Sequence, residues 1–204
     1  MRVVFIVPCY NMSDNFEELT SSIISQSDNR WSCIMIDDMS IDTTWEKIEK
    51  IQNTTGEFSG IKNNKKKYAL RNIVETARCF QDREDIIIAT IDGDDSLCNN
   101  NTVSLLINQY ESGEEVVWTG HRWDINNMNI SDRNFKDTWG NWFKRGYDQA
   151  LMLPILSLTS FRKYIPDICY RYNINSVSIK DRSWEEAGQI STINIVRARG
   201  FLLR

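Results

Sequence analysis

Short apolar runs rich in β-branched residues alternate with stretches of helical periodicity in the first half of the chain. The apolar runs predict strands over residues 3–7, 33–36, 86–91 and 116–118. Strands that alternate with helices are typical of a mostly parallel sheet covered on both faces. The pattern therefore predicts an α/β fold with a mostly parallel central sheet flanked by helices.

The clearest helix begins after Asp14, because Asp14 and Glu17 resemble a capping box. The residues Phe16, Leu19, Ile23 and Ile24 then recur at the spacing of one helical face. Further helices are predicted to begin near residue 43 or 44, and to span residues 68–80 and 102–110.

The second half of the chain is less regular. Residues 120–146 are polar and rich in Asn and Trp, which predicts long loops. Residues 148–158 predict one or two buried helical turns, 162–172 a final strand, and 184–200 a helix. No internal repeat or Gly/Ser linker interrupts the chain, so residues 1–204 are predicted to form one domain.

Composition excludes several classes of protein. The 24 Lys and Arg are outnumbered by 28 Asp and Glu, which argues against a nucleic-acid binder or a polybasic membrane anchor. The longest apolar runs are far shorter than the roughly 20 residues that a membrane span needs. Five scattered cysteines without a CxxC pair indicate reduced thiols and a cytoplasmic location.

An acidic cluster follows the predicted strand at residues 86–91. Asp92, Asp94 and Asp95 repel one another unless a cation lies among them. Mg²⁺ and Mn²⁺ prefer oxygen ligands, and Gly93 would let Asp92 and Asp94 approach the same ion. A solvated acidic turn that caps the next helix is the alternative. The position of the acidic cluster at the carboxyl end of a strand favours a ligand site, because ligands of open parallel sheets bind there.

Two other strand ends should reach the same edge of the sheet. Asp37 and Asp38 follow the second predicted strand, and Pro8, Tyr10 and Asn11 follow the first. These residues offer an aromatic ring for stacking and an acceptor for a base N–H, which together with a metal suit a nucleotide. Neither a GxGxxG nor a Walker A pattern is present, so hydride transfer and P-loop chemistry are not indicated.

Four segments in this order resemble the opening half of family-2 glycosyltransferases: VVFIVPCYN, CIMIDDMSIDTTW, ALRNIVETA and IIIATIDGDDSL. The later segments DQALMLPILSL and YIPDICYRYN resemble the acceptor-binding half of those enzymes. The resemblance implies an A-type glycosyltransferase fold, with a nucleotide-sugar-binding half at residues 1–119 and an acceptor-binding half at 120–204. It also implies a nucleoside-diphosphate-sugar donor, with a UDP-sugar expected, and Mn²⁺ or Mg²⁺. The sugar would pass to a hydroxyl of a glycan acceptor with inversion at the anomeric carbon.

The resemblance also implies roles for single residues at the donor site. Tyr10 would stack on or flank the base, and Asp38 would accept its ring N–H. Pro8 and Asn11 would shape that wall of the site. The acidic residues would act near the diphosphate: Asp92 beside the ribose or the metal, Asp94 as a metal ligand, and Asp95 as support or an alternative ligand.

A basic run precedes the third predicted helix. Lys67 and Arg71 are candidate partners of the diphosphate, with a solvated charge run as the alternative. Lys65 and Lys66 are interpreted as solvated.

The resemblance places the catalytic acidic residue of the family at Asp148, immediately before the ALMLP stretch. A carboxylate is needed there because an acceptor hydroxyl is a poor nucleophile until a base takes its proton. Asp148 could instead cap a helix, and Glu185 and Glu186 are weaker rivals for the role of base.

The acceptor region departs from the family pattern. Many members carry a His at the stretch where this chain has Asn173, Asn175 and Ser176. The region is also short, so a further domain or partner could complete the acceptor site. The only histidine is His121, interpreted as structural or acceptor-contacting. Four tryptophans nearby form either a sugar platform or core packing: Trp118, Trp123, Trp139 and Trp142.

Two other functions remain open at this point. A sugar-nucleotide pyrophosphorylase would need a Gly-rich basic loop after the first strand, where this chain has PCYNMSDN. A nucleotide-sugar-binding module without transferase activity would fit the short acceptor region.

Overall fold

The computed structural model describes residues 1–118, 122–123, 135–137, 139–143, 160–167 and 169–171. The helices are α1 (Phe16–Ile24), α2 (Thr44–Thr54), α3 (Tyr68–Ala77) and α4 (Thr102–Glu111). The strands are β1 (Arg2–Cys9), β2 (Trp31–Asp37), β3 (Phe58–Lys62), β4 (Ile86–Thr90), β5 (Ser96–Leu97), β6 (Val116–Trp118), β7 (Arg122–Trp123), β8 (Arg162–Tyr164) and β9 (Tyr170–Arg171). None of the helices in these ranges is long and apolar enough to cross a membrane.

The central sheet has the strand order β3-β2-β1-β4-β7. Its first four strands are parallel, and β7 joins β4 in the antiparallel direction. The parallel direction sends the carboxyl ends of β1, β2, β3 and β4 to one edge. The predicted α/β fold with a mostly parallel sheet is therefore confirmed.

Side chains of β1 alternate between two apolar cores because successive strand residues point to opposite faces. Val3, Phe5 and Val7 pack with residues of α1, α2 and α4. Val4 and Ile6 pack on the other face with residues of α3. Burial on both faces explains why β1 is a continuous apolar run and confirms that helices cover both sides of the sheet.

β3 was not predicted from the sequence. This edge strand buries only Phe58, so its sequence shows neither an apolar run nor a clear alternation. Its register comes from pairing with β2, where Phe58 lies opposite Cys33 and Lys62 opposite Asp37. The strand therefore owes its place to tertiary pairing more than to its own pattern.

Three predictions for the second half of the sheet were wrong. β6 was expected in the central sheet but pairs in parallel with β8 in a separate two-stranded sheet. Within the expected loop region 120–146, β7 forms an antiparallel edge of the central sheet. The final strand predicted over 162–172 is two strands, β8 and β9, with Pro166 between them. Proline lacks the N–H that a continuing ladder would need.

The start of α1 also differs from its prediction. The N-cap is Asn15, without a side-chain capping bond, so the expected capping box at Asp14 is wrong. The Asn15 Nδ2 donates instead to the carbonyl of Asp94, at 3.4 Å. Ile24, expected on the buried face, is 52% exposed at the last residue of the helix.

Candidate functional site

The chain segments that follow β1, β2, β3 and β4 meet at the carboxyl edge of the sheet. Asp38 connects three of them. Its N–H donates to the carbonyl of Cys9 at 2.9 Å, and its Oδ1 accepts from Asn63 Nδ2 and from the Lys67 N–H, both at 2.8 Å. Its Oδ2 accepts from the Tyr68 N–H, also at 2.8 Å. The backbone of Asp38 thus links the end of β1 to the loop after β2, and its buried carboxylate links that loop to the segment after β3.

The environment of Asp38 keeps its carboxyl charged. Only 3% of the residue is exposed, and this burial raises the pKa of the Asp38 carboxyl. Hydrogen bonds from the Lys67 and Tyr68 backbone and from the Asn63 and Asn72 side chains lower the pKa by more than burial raises it, so the net pKa lies below its ordinary value. The site therefore contains a fixed negative charge.

Left-handed backbone conformations cluster at the same place. Asn11, Met39 and Tyr68 have φ values of 50°, 65° and 64°, and they are the non-glycine residues with positive φ in the part of the chain that the structure describes. Such a conformation costs roughly 1–2 kcal/mol per residue. Met39 adjoins Asp38, and Tyr68 donates to it. Strain of this kind persists where surrounding bonds hold it and is typical of functional sites.

Tyr10 and Asn11 occupy the turn after β1. Tyr10 is 52% exposed, and the Lys66 ammonium lies over one face of its ring. The Asn11 N–H donates to Ser40 Oγ at 3.0 Å, and Asn11 Oδ1 accepts from the Ile41 N–H at 2.9 Å. Asn11 therefore ties the β1 turn to the loop after β2, and its contact with a base stays a prediction.

Pro8 lies in the central strand without breaking the ladder. The Ile6 carbonyl accepts a hydrogen bond from the Ile91 N–H. The backbone N–H and C=O groups of the even-numbered residues of β1 therefore point toward β4. The last residue of β4 that pairs with β1 is Thr90, opposite Ile6. Pro8 thus faces β4 beyond the paired residues, where a missing N–H costs no ladder bond.

The acidic turn after β4 packs directly on the end of β1. The Asp95 N–H donates to the Asp92 carbonyl at 3.0 Å, which closes the turn. A Cβ added to Gly93 would lie 2.8 Å from the Pro8 carbonyl oxygen and 2.7 Å from Met12 Sδ. The φ of Gly93 is not positive, so glycine is required there for the close approach of the turn to β1 and not for a left-handed backbone angle.

Gly93→Ala is expected to destabilise the protein by about 1–3 kcal/mol, because the new methyl group meets a backbone oxygen that cannot rotate away. Gly56→Ala is the matched control, since a Cβ there meets nothing within 4 Å. Urea unfolding of both variants measures the difference. Equal unfolding midpoints would show that the turn relaxes away from Pro8 at little cost.

Tyr170 of β9 holds the acidic turn from the other side. Its hydroxyl donates to Asp95 Oδ2 at 2.5 Å and accepts from the Asp92 N–H at 3.2 Å. Burial raises the pKa of the Tyr170 hydroxyl, and the nearby charges of Asp92 and Asp95 raise it further. No role was predicted for Tyr170, because only the pairing of β9 with β5 brings it to this turn.

The three aspartates of the turn consequently differ in position. Asp95 is 3% exposed and bonded to Tyr170, whereas Asp92 and Asp94 are partly exposed. Among the described residues, no group of three or more His, Cys, Asp or Glu side chains is placed to hold a metal. Two carboxylates still fit Mg²⁺ or Mn²⁺, since such ions commonly take one or two carboxylates together with water and substrate phosphates. The individual roles of Asp92, Asp94 and Asp95 stay predictions.

Lys67 and Arg71, the candidate partners of the diphosphate, both pair with Glu75. Lys67 Nζ lies 2.9 Å from Glu75 Oε2, and Arg71 Nε lies 2.6 Å from Glu75 Oε1. Burial raises the pKa of Glu75, but the bonds from Arg71 and Lys67 lower it overall. Glu75 was not predicted at this site, although its i, i+4 spacing from Arg71 on α3 indicates such a pair.

The interpretation of Lys66 as a solvated charge is wrong. Its Nζ is buried and lies over the ring of Tyr10, and none of the described residues accepts a hydrogen bond from it. Burial lowers the pKa of Lys66, while the charges of Asp38 and Asp37 oppose that shift. Lys65 is exposed, as expected. A run of three lysines gives no sequence signal for the one that turns inward.

The candidate acceptor residues are described only in part. Trp142 stacks on Phe135 with ring centroids 6.1 Å apart, packs against the core on the α3 side, and lies near Arg71 and Lys136. The backbone of Trp123 pairs with Ile88 in the central sheet. Their roles toward an acceptor stay predictions. Outside the described residues lie His121, Asp148, Glu185 and Glu186.

Comparison with solved structures places this fold among known glycosyltransferases. S. aureus TarS residues 1–349 is similar, with a TM-score of 0.64 and 14% identity, over 98% of this chain and 74% of that one. The mannosyltransferase PcManGT from Pyrobaculum calidifontis has a TM-score of 0.68 and 14% identity, over 100% of this chain and 66% of that one. At these identities the likeness shows the fold alone. It confirms the A-type glycosyltransferase fold.

The sequence comparisons define the family. A search of curated proteins finds no match. In structure, the chain spans less than half of a longer TarS structure: it covers 44% of that chain, at a TM-score of 0.63 and 13% identity. The pattern of the family described as "Glycosyl transferase family 2" matches residues 4–165, which is most of the chain. The resemblance found in the motifs is therefore confirmed, and the chain belongs to glycosyl transferase family 2.

Proposed function

We propose that this chain transfers a sugar from a nucleoside-diphosphate donor, specifically a UDP-sugar, to a hydroxyl of a glycan acceptor. The observation that carries the proposal is the packing of the Asp92–Asp95 turn on Pro8, at the same edge as Tyr10 and Asp38. An aromatic ring, a fixed acceptor and two partly exposed carboxylates thus lie at the ends of adjacent strands. Structures of similar fold support a nucleotide-sugar donor in general, since TarS has been crystallised with UDP and UDP-GlcNAc, and PcManGT with GDP-Man and Mn²⁺.

The base of the donor would bind at the ends of β1 and β2, and its diphosphate would bind at the turn after β4. Tyr10 presents the exposed ring on which a base would stack, and Asp38 presents the carboxylate that would accept the base N–H. Three hydrogen bonds preorganise Asp38, so little ordering is left to occur on binding.

Asp92 and Asp94 would hold Mn²⁺ or Mg²⁺ together with the diphosphate. When bound, such an ion supplies positive charge that stabilises the departing diphosphate. Asp95 acts as support, since its bond to Tyr170 holds the turn in place. The close contact of Gly93 with Pro8 fixes the turn against the first strand.

The transfer step needs a base for the acceptor, and Asp148 is assigned to it. The acceptor oxygen forms a bond to the anomeric carbon as the bond from that carbon to the diphosphate oxygen breaks. The proton of the acceptor hydroxyl passes to the carboxylate of Asp148. Attack on the face opposite the leaving diphosphate inverts the configuration. We also propose that a further domain or partner completes the acceptor site, and that the protein acts in the cytoplasm.

Calorimetric titration of the purified chain with UDP and UDP-sugars, first with Mn²⁺ and then with chelator, tests the proposal. We expect binding that disappears with chelator, because the diphosphate is held through the ion. A folded chain that binds no nucleoside diphosphate with Mn²⁺ would overturn the proposal. Binding without transfer or donor hydrolysis would support a nucleotide-sugar-binding module. Release of pyrophosphate from a nucleoside triphosphate and a sugar phosphate would support a pyrophosphorylase.

A further inference from the structure

Tyr170 contacts the acidic turn at two points, although it lies 75 and 78 positions later in the chain than the residues that it meets. Its hydroxyl donates to Asp95 Oδ2 at 2.5 Å and accepts from the Asp92 N–H at 3.2 Å. One hydroxyl can make both bonds, because it has one donor and two acceptor positions. A single oxygen atom therefore holds both ends of the turn that carries Asp94.

The strand β9 fixes the position of this hydroxyl. Tyr170 lies opposite Leu97 of β5 in an antiparallel pair, and the Cys98 N–H donates to the Cys169 carbonyl at 2.9 Å. The Tyr170 side chain packs against the core that α1, α2 and α4 share. A tyrosine has only two side-chain torsion angles, so this packing leaves its hydroxyl little freedom. The hydroxyl is therefore held in place by the rest of the fold and not by the turn itself.

The bond between Tyr170 and Asp95 separates this aspartate from the other two. Asp95 is 3% exposed, whereas Asp92 and Asp94 are partly exposed. An O–H···O⁻ bond of 2.5 Å is of the short, strong kind that a charged acceptor makes. Removal of the hydroxyl would leave a buried carboxylate without this donor, which is unfavourable. Rotation of Asp95 toward water would relieve that cost, but it would move the turn and bring a third negative charge toward the other two.

We infer that Tyr170 is a positioning residue for the divalent ion of the donor site. Its two bonds hold Asp95 inward and fix the backbone amide of Asp92, and together they set the separation of the Asp92 and Asp94 carboxylates. Mg²⁺ demands near-ideal geometry from its ligands, so a small displacement of one carboxylate weakens binding. Tyr170 acts through the turn, and its role requires no contact with the ion. This inference rests on the proposed function, because it assumes that the ion binds at Asp92 and Asp94.

The test compares Tyr170→Phe with the control Tyr164→Phe. Phenylalanine keeps the ring and removes only the hydroxyl, and Tyr164 is an exposed tyrosine of β8. Electron paramagnetic resonance measures free Mn²⁺ in the presence of UDP and so gives the Kd of the ion. We expect Tyr170→Phe to weaken Mn²⁺ binding about tenfold or more, a loss typical of residues that orient metal ligands. Tyr164→Phe should leave the Kd unchanged.

Uridine separates positioning of the ion from a general structural effect. Calorimetry with uridine and chelator measures binding of the base in the absence of the ion and the diphosphate. Tyr170→Phe should bind uridine as tightly as the unsubstituted chain does, because the proposed base site lies at the ends of β1 and β2. An equal loss toward uridine and Mn²⁺ would overturn the inference, since it would show that the variant disturbs the whole site.

Asp95→Ala is a second variant, which removes the other partner of the bond and keeps the test decisive if Tyr170→Phe does not fold. It should also weaken Mn²⁺ binding, and Tyr170→Phe should cost less in that background than in the unsubstituted chain, because the two residues act through one bond. A folded Tyr170→Phe or Asp95→Ala variant with an unchanged Kd for Mn²⁺ would overturn the inference and leave the proposed function standing. If the folded unsubstituted chain holds no Mn²⁺ with UDP, the proposed function itself fails.

Discussion

Asp94→Ala is expected to abolish metal-dependent donor binding and to reduce sugar transfer at least about a hundredfold. The reason is electrostatic, since a divalent ion contributes several kcal/mol to stabilisation of a departing diphosphate. Asp94 is a partly exposed carboxylate of the turn after β4, whereas Asp95 is turned inward to Tyr170. With Asp94 removed, Asp92 would be the only partly exposed carboxylate of this turn left to hold the ion.

The measurement combines calorimetry of UDP with Mn²⁺ and a transfer assay on the same preparation. Asp82→Ala is the matched control, because Asp82 is an exposed aspartate just before the amino end of β4, at the opposite edge of the sheet. The free energy of unfolding of both variants, measured by thermal unfolding, should differ from that of the unsubstituted chain by no more than about 1 kcal/mol. Full transfer by a folded Asp94→Ala variant would remove the acidic turn from the mechanism.

Asp148→Asn is expected to lower turnover about 10²- to 10⁴-fold while leaving donor affinity nearly unchanged. General-base catalysis by a placed carboxylate contributes a factor of this size. The amide of asparagine cannot take the proton of the acceptor hydroxyl. Asparagine caps helices about as well as aspartate, so the substitution separates a base from a helix cap.

Single-turnover transfer and UDP titration together check this prediction, with Glu185→Gln and Glu186→Gln as parallel variants of the rival carboxylates. We expect both glutamine variants to retain turnover. A loss confined to one of them would transfer the role of base to that glutamate. Unchanged turnover in Asp148→Asn, with unchanged stability, would leave helix capping as the role of Asp148.

Most of the donor half followed from local pattern. β1, β2 and β4 are apolar runs because both faces of the sheet are covered, and that burial is visible in the sequence. The helix predicted over residues 68–80 appears as α3 followed by a 3-10 turn at Arg78–Phe80. β3 escaped notice because an edge strand with one buried side chain has no periodic pattern to detect.

The candidate site likewise contains residues that local pattern predicted and residues that it did not. Tyr10, Asp38, Asp92 and Asp94 could be named because the ends of parallel strands converge on one edge. Lys66 could not be separated from its exposed neighbour Lys65, since burial of one lysine in a run depends on what packs above it.

The sequence by itself determined the family, the parallel sheet and the acidic turn at the end of β4, because these depend on contiguous residues and on strand direction. Only the tertiary structure decided which polar groups pair with partners far away in the sequence. Tyr170 reaches Asp95 across 75 positions of sequence, and Asp38 organises backbone donors about 30 positions away. Such partners are chosen by packing and by the cost of burying an unpaired charge, and neither leaves a periodic trace along the chain.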